Sequence, residues 1–399
     1  MPDTVILREK ANGHQMHAAA VEADEHATQV DISALKDKDY AKALAPWRYA
    51  IRSKLVERVK AESKAVAHLQ RTIRTPWLDT YFVYSSYLGT DSFFLVVLPA
   101  FFFFGYDDFG RGLLMILALG GYASSSCKDL FCSPRPFSPP VTRLTLRDHH
   151  LEYGFPSTHT TQSSSIALYF LLHVPPTYRP YIYIYAFTII FGRLYTGMHT
   201  FTDVVIGCIL GISAVWVHSL PMFQHFEAWV FSGGLAVPLV LISLFLFLLE
   251  MHPLPVDPCP CFEDSVASGS VALGALLGRW AVNYFSMDGT LAKAIIPGSP
   301  WTFATTSVAV LQRWWVVAAL KMFTGMLVIL SWRLLAKAAL APVMSLVWRQ
   351  EVATSRAQVK RCKSYVLTKV IVYAGIAILA CDILPAVFSF LDWDVRSRP

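Results

Sequence analysis

The chain has 399 residues, of which 54% are hydrophobic and 16% are charged. Soluble globular proteins carry about 25% charged residues, so this balance excludes an ordinary soluble domain and indicates a membrane protein. The formal net charge of +6 does not indicate a nucleic-acid partner, because the basic residues lie beside apolar segments and no nucleic-acid motif surrounds them.

Apolar runs recur along most of the sequence and predict an all-α polytopic membrane protein, a bundle of eight or nine transmembrane helices. Several runs are shorter than roughly 18 residues and need flanking polar residues to complete a span. The runs cover residues 93–104, 113–127, 163–174, 181–195, 204–217, 235–249, 266–284, 314–332 and 365–390.

Four regions follow from the pattern along the chain. Residues 1–46 are polar and lack a long apolar period, so we predict disorder there. Residues 47–76 combine helical apolar spacing with many basic residues, which predicts an amphipathic interfacial helix on an anionic membrane surface; packing on the protein itself is the alternative. Residues 77–220 form a helical core that carries the motifs below, and residues 221–399 add further transmembrane helices.

Two segments invite a metal-site interpretation, and for both the simpler one is favoured. Cys259 and Cys261 lie in a Pro-Cys-Pro-Cys sequence that a metal or a disulfide could explain, although a constrained loop explains it too. Asp148, His149, His150 and Glu152 cluster in a second loop. We predict loops in both places, and no metal or cofactor.

Three polar segments lie at the ends of predicted spans. The second span finishes in a segment that runs from Lys128 to Arg135-Pro136, and the third begins just after Pro156-Ser157-Thr158-His159. The fourth ends at Gly192-Arg193, and the fifth starts near His199 and Asp203. Antiparallel helices bring these four ends to one membrane face, where costly ionisable groups indicate function.

The side chains in these segments suit a phosphoryl group. Lys128, Arg135 and Arg193 offer three cations, and guanidinium forks match phosphate oxygens bidentately. Ser157 adds a hydroxyl donor, and a helix that begins near His159 turns its free backbone N–H groups toward the same anion.

The same segments hold groups for displacement at phosphorus. His199 and Asp203 are four residues apart, which predicts one helix face and a carboxylate that orients the imidazole. His159 can protonate the departing alkoxide and then activate water. The three cations supply the charge that a magnesium or zinc ion otherwise provides.

Together the segments resemble the signature motifs of the type 2 phosphatidic acid phosphatase (PAP2) superfamily, K-x6-R-P, P-S-G-H and S-R-x5-H-x3-D, in order and spacing. The wider sequences Gly-Phe-Pro-Ser-Thr-His and Gly-Arg-Leu-Tyr-Thr-Gly-Met-His are similar to the sphingosine-1-phosphate and long-chain-base-phosphate phosphatase branch. The resemblance covers residues 77–220 and implies a PAP2-type core there.

The resemblance also implies a role for each motif residue. It makes His199 the nucleophile, Asp203 its partner and His159 the general acid, with phosphate bound by Lys128, Arg135, Ser157 and Arg193. The chain departs from the superfamily at Thr158, where many members have Gly, and at Gly192, where many have Ser. Both departures are compatible with the sphingoid branch.

The implied activity is metal-independent hydrolysis of sphingoid long-chain base 1-phosphates to the free base and phosphate through a phosphohistidine. The implied setting is multi-pass in the endoplasmic reticulum membrane, with the lipid phosphate and the bilayer as partners. Two alternatives stay open: a broader lipid phosphatase (phosphatidate, diacylglycerol pyrophosphate or dolichyl phosphate), or a non-catalytic transporter or scaffold. Span counting from a cytosolic amino terminus predicts a cytosolic site, whereas the resemblance implies a luminal one.

Overall fold

The computed structural model describes residues 4–6, 37–145, 152–257, 259–285, 308–348, 363–391 and 393. Within these ranges the chain is almost entirely helical, as the sequence predicted. The helices are α1 (Asp37–Ala43), α2 (Pro46–Ile73), α3 (Pro76–Ser85), α4 (Asp91–Phe103), α5 (Asp107–Phe131), α6 (Thr158–His173), α7 (Arg179–Tyr195), α8 (Phe201–Ser219), α9 (Pro221–Ser232), α10 (Ala236–Met251), α11 (Cys261–Tyr284), α12 (Val308–Trp348), α13 (Lys363–Ile378) and α14 (Leu384–Phe390). A parallel two-stranded sheet pairs β1 (Thr4–Ile6) with β2 (Arg143–Thr145), with Thr4 opposite Arg143.

Fewer helices in the described part of the chain are long and apolar enough to cross a membrane than the eight or nine spans that the sequence predicted. Among the described residues, four helical stretches are long and apolar enough to cross a bilayer: Phe201–Ser219, Cys261–Tyr284, Trp315–Leu340 and Tyr365–Phe390. The pair Pro76–Gly89 and Phe93–Phe103, bent by 51°, makes a fifth if it counts as one span. Other apolar runs form helices that are shorter or more polar, such as Ala236–Met251 with 16 residues. The membrane character stands, and the count of eight or nine is not confirmed.

Close contact between α6 and α8 depends on two glycines. A Cβ at Gly211 would lie 2.4 Å from the Thr161 carbonyl oxygen, and one at Gly207 would lie 2.8 Å from the Ser157 carbonyl oxygen. Only glycine permits backbones to approach this closely. The start of α8 is thereby held against the start of α6, where two of the motifs lie.

Helix α2 packs one face on the protein. Arg52 is 3% exposed and donates to the Cys132 carbonyl oxygen at 3.1 Å, and Gln70 donates to the carbonyl oxygens of Thr142 and Tyr195. The opposite face exposes five basic residues: Lys54, Arg58, Lys60, Lys64 and Arg71. The helix therefore packs on the protein along one side, and its contact with a membrane surface stays a prediction.

Two parts of the segment 1–46, for which disorder was predicted, form secondary structure: strand β1 and helix α1. Residues 37–43 form α1, because the Tyr40 side chain is fully buried and its hydroxyl donates to Asp257 at 2.7 Å. Residues 7–36, the greater part of that segment, lie outside the described residues.

The C-terminal helices share a core of their own with α5. Buried apolar side chains from α9 to α14 pack with Leu114 and Met115 of α5 in one cluster. Lys321 of α12 donates to the Phe103 carbonyl oxygen at 3.2 Å. The second half of the chain is thus packed directly on the helix that carries Lys128.

Candidate active site

The first motif lies where α5 ends and the chain turns sharply. Cys132 caps α5 in the left-handed conformation, with φ of 49°, which directs the following residues back across the bundle. Lys128 and Arg135 are 3% and 6% exposed. Both reach the Glu152 carboxylate, Lys128 Nζ at 2.8 Å and Arg135 Nη2 at 3.4 Å.

The second motif caps α6. Ser157 is the N-cap residue, and its Oγ accepts from Thr160 Oγ1 at 3.0 Å and from the Thr160 N–H at 3.4 Å. Its own backbone N–H donates to the Asp203 carbonyl oxygen at 3.1 Å. The predicted helix start is confirmed, and the second motif is hydrogen-bonded to the third.

Thr158 and His159 form the first turn of α6. The Thr158 hydroxyl is buried, and among the described residues it has no hydrogen-bond partner. His159 is half-buried, and its ring lies close to Gly89, where an added Cβ would be 3.0 Å from His159 Cδ2. The turn before α4 therefore forms one wall of the site beside His159.

The third motif spans the turn between α7 and α8. Gly197 allows this turn through its φ of +66°, and the backbone N–H groups of Met198 and His199 donate back to the Arg193 carbonyl oxygen at 3.1 and 3.3 Å. Arg193 and His199 are thereby brought to the same end of the bundle. Their side chains are 4% and 2% exposed.

Helix α8 begins at Phe201, two residues after His199, whereas the spacing predicted a helix that includes His199. Thr200 is its N-cap and forms a capping box with Asp203, whose Oδ2 accepts from the Thr200 N–H at 2.7 Å. His199 thus precedes the helix, and the predicted shared helix face is replaced by a turn. The Asp203 carboxylate lies 3.7 Å from His199 Nδ1, beyond hydrogen-bond distance.

A backbone carbonyl orients the His199 imidazole. His199 Nδ1 lies 2.9 Å from the Gly154 carbonyl oxygen, a distance at which it donates a hydrogen bond. Nε2 then carries the lone pair and lies 3.4 Å from Arg135 Nη1, inside the group of cations. A Cβ at Gly154 would lie 2.6 Å from the Pro134 carbonyl oxygen, so this approach requires glycine.

The surroundings keep His199 neutral. Burial comes first, and the charges of Arg135 and Lys128 add to it, so the pKa of His199 lies well below its usual value. An imidazole in this state is unprotonated at neutral pH. It is therefore available as a nucleophile without first losing a proton.

Arg193 is placed to meet an anion. Its Nη2 donates to the Ser86 hydroxyl, while its buried Nε has no partner among the described residues. The neighbouring Gly192 faces Phe82, since a Cβ there would lie 3.2 Å from Phe82 Cδ1. This contact explains why glycine suits the position at which the superfamily motif has serine.

Sequence reasoning missed three residues of this site. Glu152 was assigned to a loop of acids and histidines, and only its contact with Lys128 and Arg135 gives it a place; residues 148–151 of that loop lie outside the described residues. Gly154 acts through its carbonyl group, and Ser86 reaches the site from a distant turn. The only available signal was the nearness of Glu152 and Gly154 to the second motif.

An apolar cavity lies beside the site. It has a volume of about 370 Å³ and is lined by Phe93, Phe94, Val97, Leu98, Phe101, Leu113, Ile166, Phe170, Val174, Tyr178, Tyr181, Ile182 and Tyr185. Ile166 is seven residues after His159 on α6, hence on the same face and roughly 10 Å along the helix. The cavity therefore begins about two helical turns from the polar groups.

Comparison with known proteins points in one direction. Residues 109–226 match the PAP2 superfamily. The chain is 39% identical over 253 residues to the dihydrosphingosine 1-phosphate phosphatase C823.11 of Schizosaccharomyces pombe, covering 58% of this chain and 59% of that protein. It is 34% identical over 268 residues to the dihydrosphingosine 1-phosphate phosphatase YSR3 of Saccharomyces cerevisiae, covering 63% and 65%.

More distant matches are longer or structural. The human sphingosine-1-phosphate phosphatase 2 is 27% identical over 339 residues, covering 82% of this chain and 81% of that protein. The crystal structure of Aquifex aeolicus LpxE aligns with a TM-score of 0.34 at 26% identity, covering 38% of this chain and 92% of that one. The chain spans about three fifths of the length of the two yeast proteins.

Proposed function

We propose that the chain, which matches the PAP2 superfamily over residues 109–226, is a membrane-embedded phosphatase that hydrolyses sphingoid long-chain base 1-phosphates to the free base and inorganic phosphate. The observation that carries this proposal is the neutral His199 Nε2 among Lys128, Arg135 and Arg193. Three buried cations around one unprotonated imidazole suit the binding of a phosphate dianion and displacement at its phosphorus.

The reaction proceeds in two displacements. His199 Nε2 attacks phosphorus in line, the P–O bond to the lipid breaks, and His159 donates a proton to the departing alkoxide. His159 then takes a proton from water, whose oxygen attacks phosphorus and breaks the N–P bond. Inorganic phosphate leaves, and both histidines return to their starting states.

The phosphate cradle, formed by Lys128, Arg135, Arg193, Ser157 and the first turn of α6, stabilises the transition state. Lys128, Arg135 and Arg193 neutralise the charge on the equatorial oxygens, and the Ser157 hydroxyl and the first turn of α6 add hydrogen-bond donors. The Gly154 carbonyl holds the Nδ1–H tautomer, and the imidazolium-like charge that develops on His199 is stabilised by Asp203 at 3.7 Å. The residues of the chain supply this charge stabilisation themselves, so the proposed reaction uses no metal ion.

The apolar cavity supports a lipid substrate. Its lining is apolar and aromatic, and it begins on the face of α6 that carries His159. A phosphate ester bound in the cradle would direct its hydrocarbon chain along this face. A sugar phosphate would leave the cavity unused.

Glu152 supports the sphingoid class over phosphatidate. Its carboxylate is 26% exposed and lies at the edge of the phosphate cradle, against Lys128 and Arg135. Sphingoid base 1-phosphates carry an ammonium group on the carbon next to the phosphate ester, and phosphatidate has no such cation. When the substrate phosphate binds Lys128 and Arg135, the Glu152 carboxylate can pair with this ammonium group in place of Lys128. From the sequence, Asp91 near the first apolar run is a second candidate for this ammonium, with pairing to another buried polar group as the alternative; it begins α4, and its side chain lies outside the described residues.

The deciding experiment is hydrolysis by the purified protein in detergent, without added divalent cations. We expect phosphate release from dihydrosphingosine 1-phosphate to exceed release from phosphatidate, and His199→Ala to abolish both. Equal rates on the two lipids would reject the sphingoid assignment, and full activity in His199→Ala would reject the nucleophile. An inactive wild-type protein that still binds the lipid would favour a transporter or scaffold.

We also place the enzyme in the endoplasmic reticulum membrane, on the resemblance to the sphingoid branch. Co-localisation of a tagged chain with a marker of that membrane tests the placement. A plasma-membrane signal alone would contradict it.

A further inference from the structure

A second group of ionisable side chains lies behind the cradle, outside the proposed reaction. Asp129 follows Lys128 on α5, His252 caps the end of α10, and Cys259 and Cys261 lie at the start of α11. The four side chains are 0%, 1%, 3% and 1% exposed. Asp129 and the segment 252–261, which are distant in sequence, therefore bring four residues of common metal-binding types into one buried region.

The distances suit a shared ion. One ligand atom from each of Asp129, Cys259 and Cys261 lies within 4.8 Å of the other two. His252 Nδ1 lies 3.7 Å from Asp129 Oδ2. Ligand atoms around a tetrahedral zinc ion lie about 3.5 Å apart, as bond lengths of 2.0 to 2.3 Å require. The ligand atoms of Asp129, Cys259 and Cys261 are already grouped, whereas His252 Nδ1 lies 3.0 Å from the Pro253 carbonyl oxygen and would have to leave it to join them.

The buried Asp129 carboxylate is a candidate to bind a cation. Both of its oxygen atoms are buried, and neither has a hydrogen-bond partner among the described residues. The neighbouring Lys128 side chain is engaged with Glu152, and Arg48 donates to the backbone carbonyl oxygens of Asp129, Leu130 and Leu254. The His252 imidazole, 3.7 Å away, is too distant to hydrogen-bond this buried carboxylate, which is unfavourable, and metal coordination is one arrangement that removes this cost.

A disulfide between the two cysteines would not explain why the Asp129 carboxylate is buried without a hydrogen bond from any described residue. The structure joins Cys259 and Cys261 by a disulfide. A disulfide involves the two sulfur atoms alone and leaves both Asp129 carboxylate oxygens without a hydrogen bond among the described residues. Both cysteines are thiols when the protein is synthesised. Metal binding therefore requires only the loss of their two protons, with no oxidant or reductant. One ion then accounts for all four groups.

We propose that Asp129, His252, Cys259 and Cys261 bind a structural zinc ion that ties the start of α11 and the end of α10 to the catalytic helix α5. Two thiolates, one imidazole and one carboxylate form a closed tetrahedral set with no position for water or substrate, which is typical of structural zinc. The ion would fix the end of α5 and thereby the position of Lys128. This proposal does not depend on the reaction or the substrate proposed above.

Metal content is the direct test. The protein is purified from membranes without chelator, with a thiol-free reductant, and its metals are measured by mass spectrometry. We expect about one zinc ion per chain in the wild type and in Cys208→Ser, a control that removes a free, half-buried cysteine of α8. We expect most of the zinc to be lost in Asp129→Asn, in His252→Gln and in the double variant Cys259→Ser/Cys261→Ser.

Two outcomes would overturn the proposal. One is a wild-type protein without zinc whose intact mass shows the Cys259–Cys261 disulfide after purification without reductant. The other is full zinc content in Asp129→Asn. If the variants do not fold, cobalt replacement in the wild type decides: thiolate-to-cobalt absorption with tetrahedral bands supports the site, and its absence rejects it.

Discussion

Replacing Glu152 by glutamine should change which lipid the enzyme prefers. The substitution keeps the size of the side chain and removes the negative charge that lies 2.8 Å from Lys128 Nζ and 3.4 Å from Arg135 Nη2. A sphingoid substrate then loses the partner of its ammonium group. Phosphatidate has no ammonium group, so for this substrate the substitution only removes the negative charge of Glu152 from beside the bound phosphate.

The magnitude follows from the position of the carboxylate. Two unit charges 4 Å apart interact by about 4 kcal/mol at the effective dielectric constant of a protein surface. Glu152 is 26% exposed, so solvent screening and the competing pull of Lys128 and Arg135 reduce this substantially. A net loss of about 1.4 kcal/mol, or tenfold in kcat/KM, is a fair expectation for the sphingoid substrate.

The assay compares kcat/KM for dihydrosphingosine 1-phosphate and phosphatidate in mixed micelles, for the wild type and for Glu152→Gln. The sphingoid value should fall about tenfold, and the phosphatidate value should rise. Inhibition by inorganic phosphate should become stronger, because Glu152 no longer competes for the two cations. An equal fall for both lipids would refute the reasoning, since Glu152 would then only support the loop. Glu57→Gln, at an exposed position of α2, is the matched control.

Three further predictions test other parts of the account. Ile166→Trp should fill part of the cavity and lower kcat/KM for a long-chain substrate by about tenfold, the lower end of what one methylene is worth in a hydrophobic substrate pocket. A short-chain phosphate ester should be hydrolysed as before. Ile209→Trp, at a 51% exposed position of α8, is the control, and equal loss on both esters would exclude a tail site. Lys128→Met removes a positive charge near His199 and should raise the lowered pKa of His199. The acidic limb of the kcat/KM profile should then move to higher pH by on the order of one unit. An unmoved limb in the residual activity would show that Lys128 does not control the pKa of His199. Asp257→Leu should lower the free energy of unfolding by about 2–6 kcal/mol, because the buried hydroxyls of Tyr40 and Tyr153 lose their acceptor at 2.7 and 2.8 Å; thermal unfolding in detergent measures it, and an unchanged melting temperature would contradict it.

The sequence predicted the parts of the site that depend on local order. Lys128, Arg135, Ser157, His159, Arg193, His199 and Asp203 were all selected from spacing and from their places at helix ends. Antiparallel helices leave few other ways to arrange such ends. The start of α6 near His159 could be read from the N-cap preference of Ser157.

Other features depend on tertiary contacts that no spacing encodes. The interaction of His199 with the Gly154 carbonyl oxygen is a backbone contact, so no side-chain pattern indicates it. Asp203 was expected to hold the imidazole, but the capping box with Thr200 draws its carboxylate to the helix start. The approach of Asp129 to the two cysteines and to His252 required the packing of α10 and α11 on α5.

The account depends on covalent catalysis by His199, and trapping the intermediate tests this most directly. In His159→Ala, a phosphate ester with an acidic leaving group such as p-nitrophenyl phosphate needs no general acid to leave, whereas breakdown of the phosphoenzyme loses its base. Quenching at alkaline pH, digestion and mass spectrometry should then find one phosphoryl group on the peptide that contains His199. A phosphoryl group on any other residue, or release of phosphate at the wild-type rate with no phosphopeptide, would contradict the mechanism.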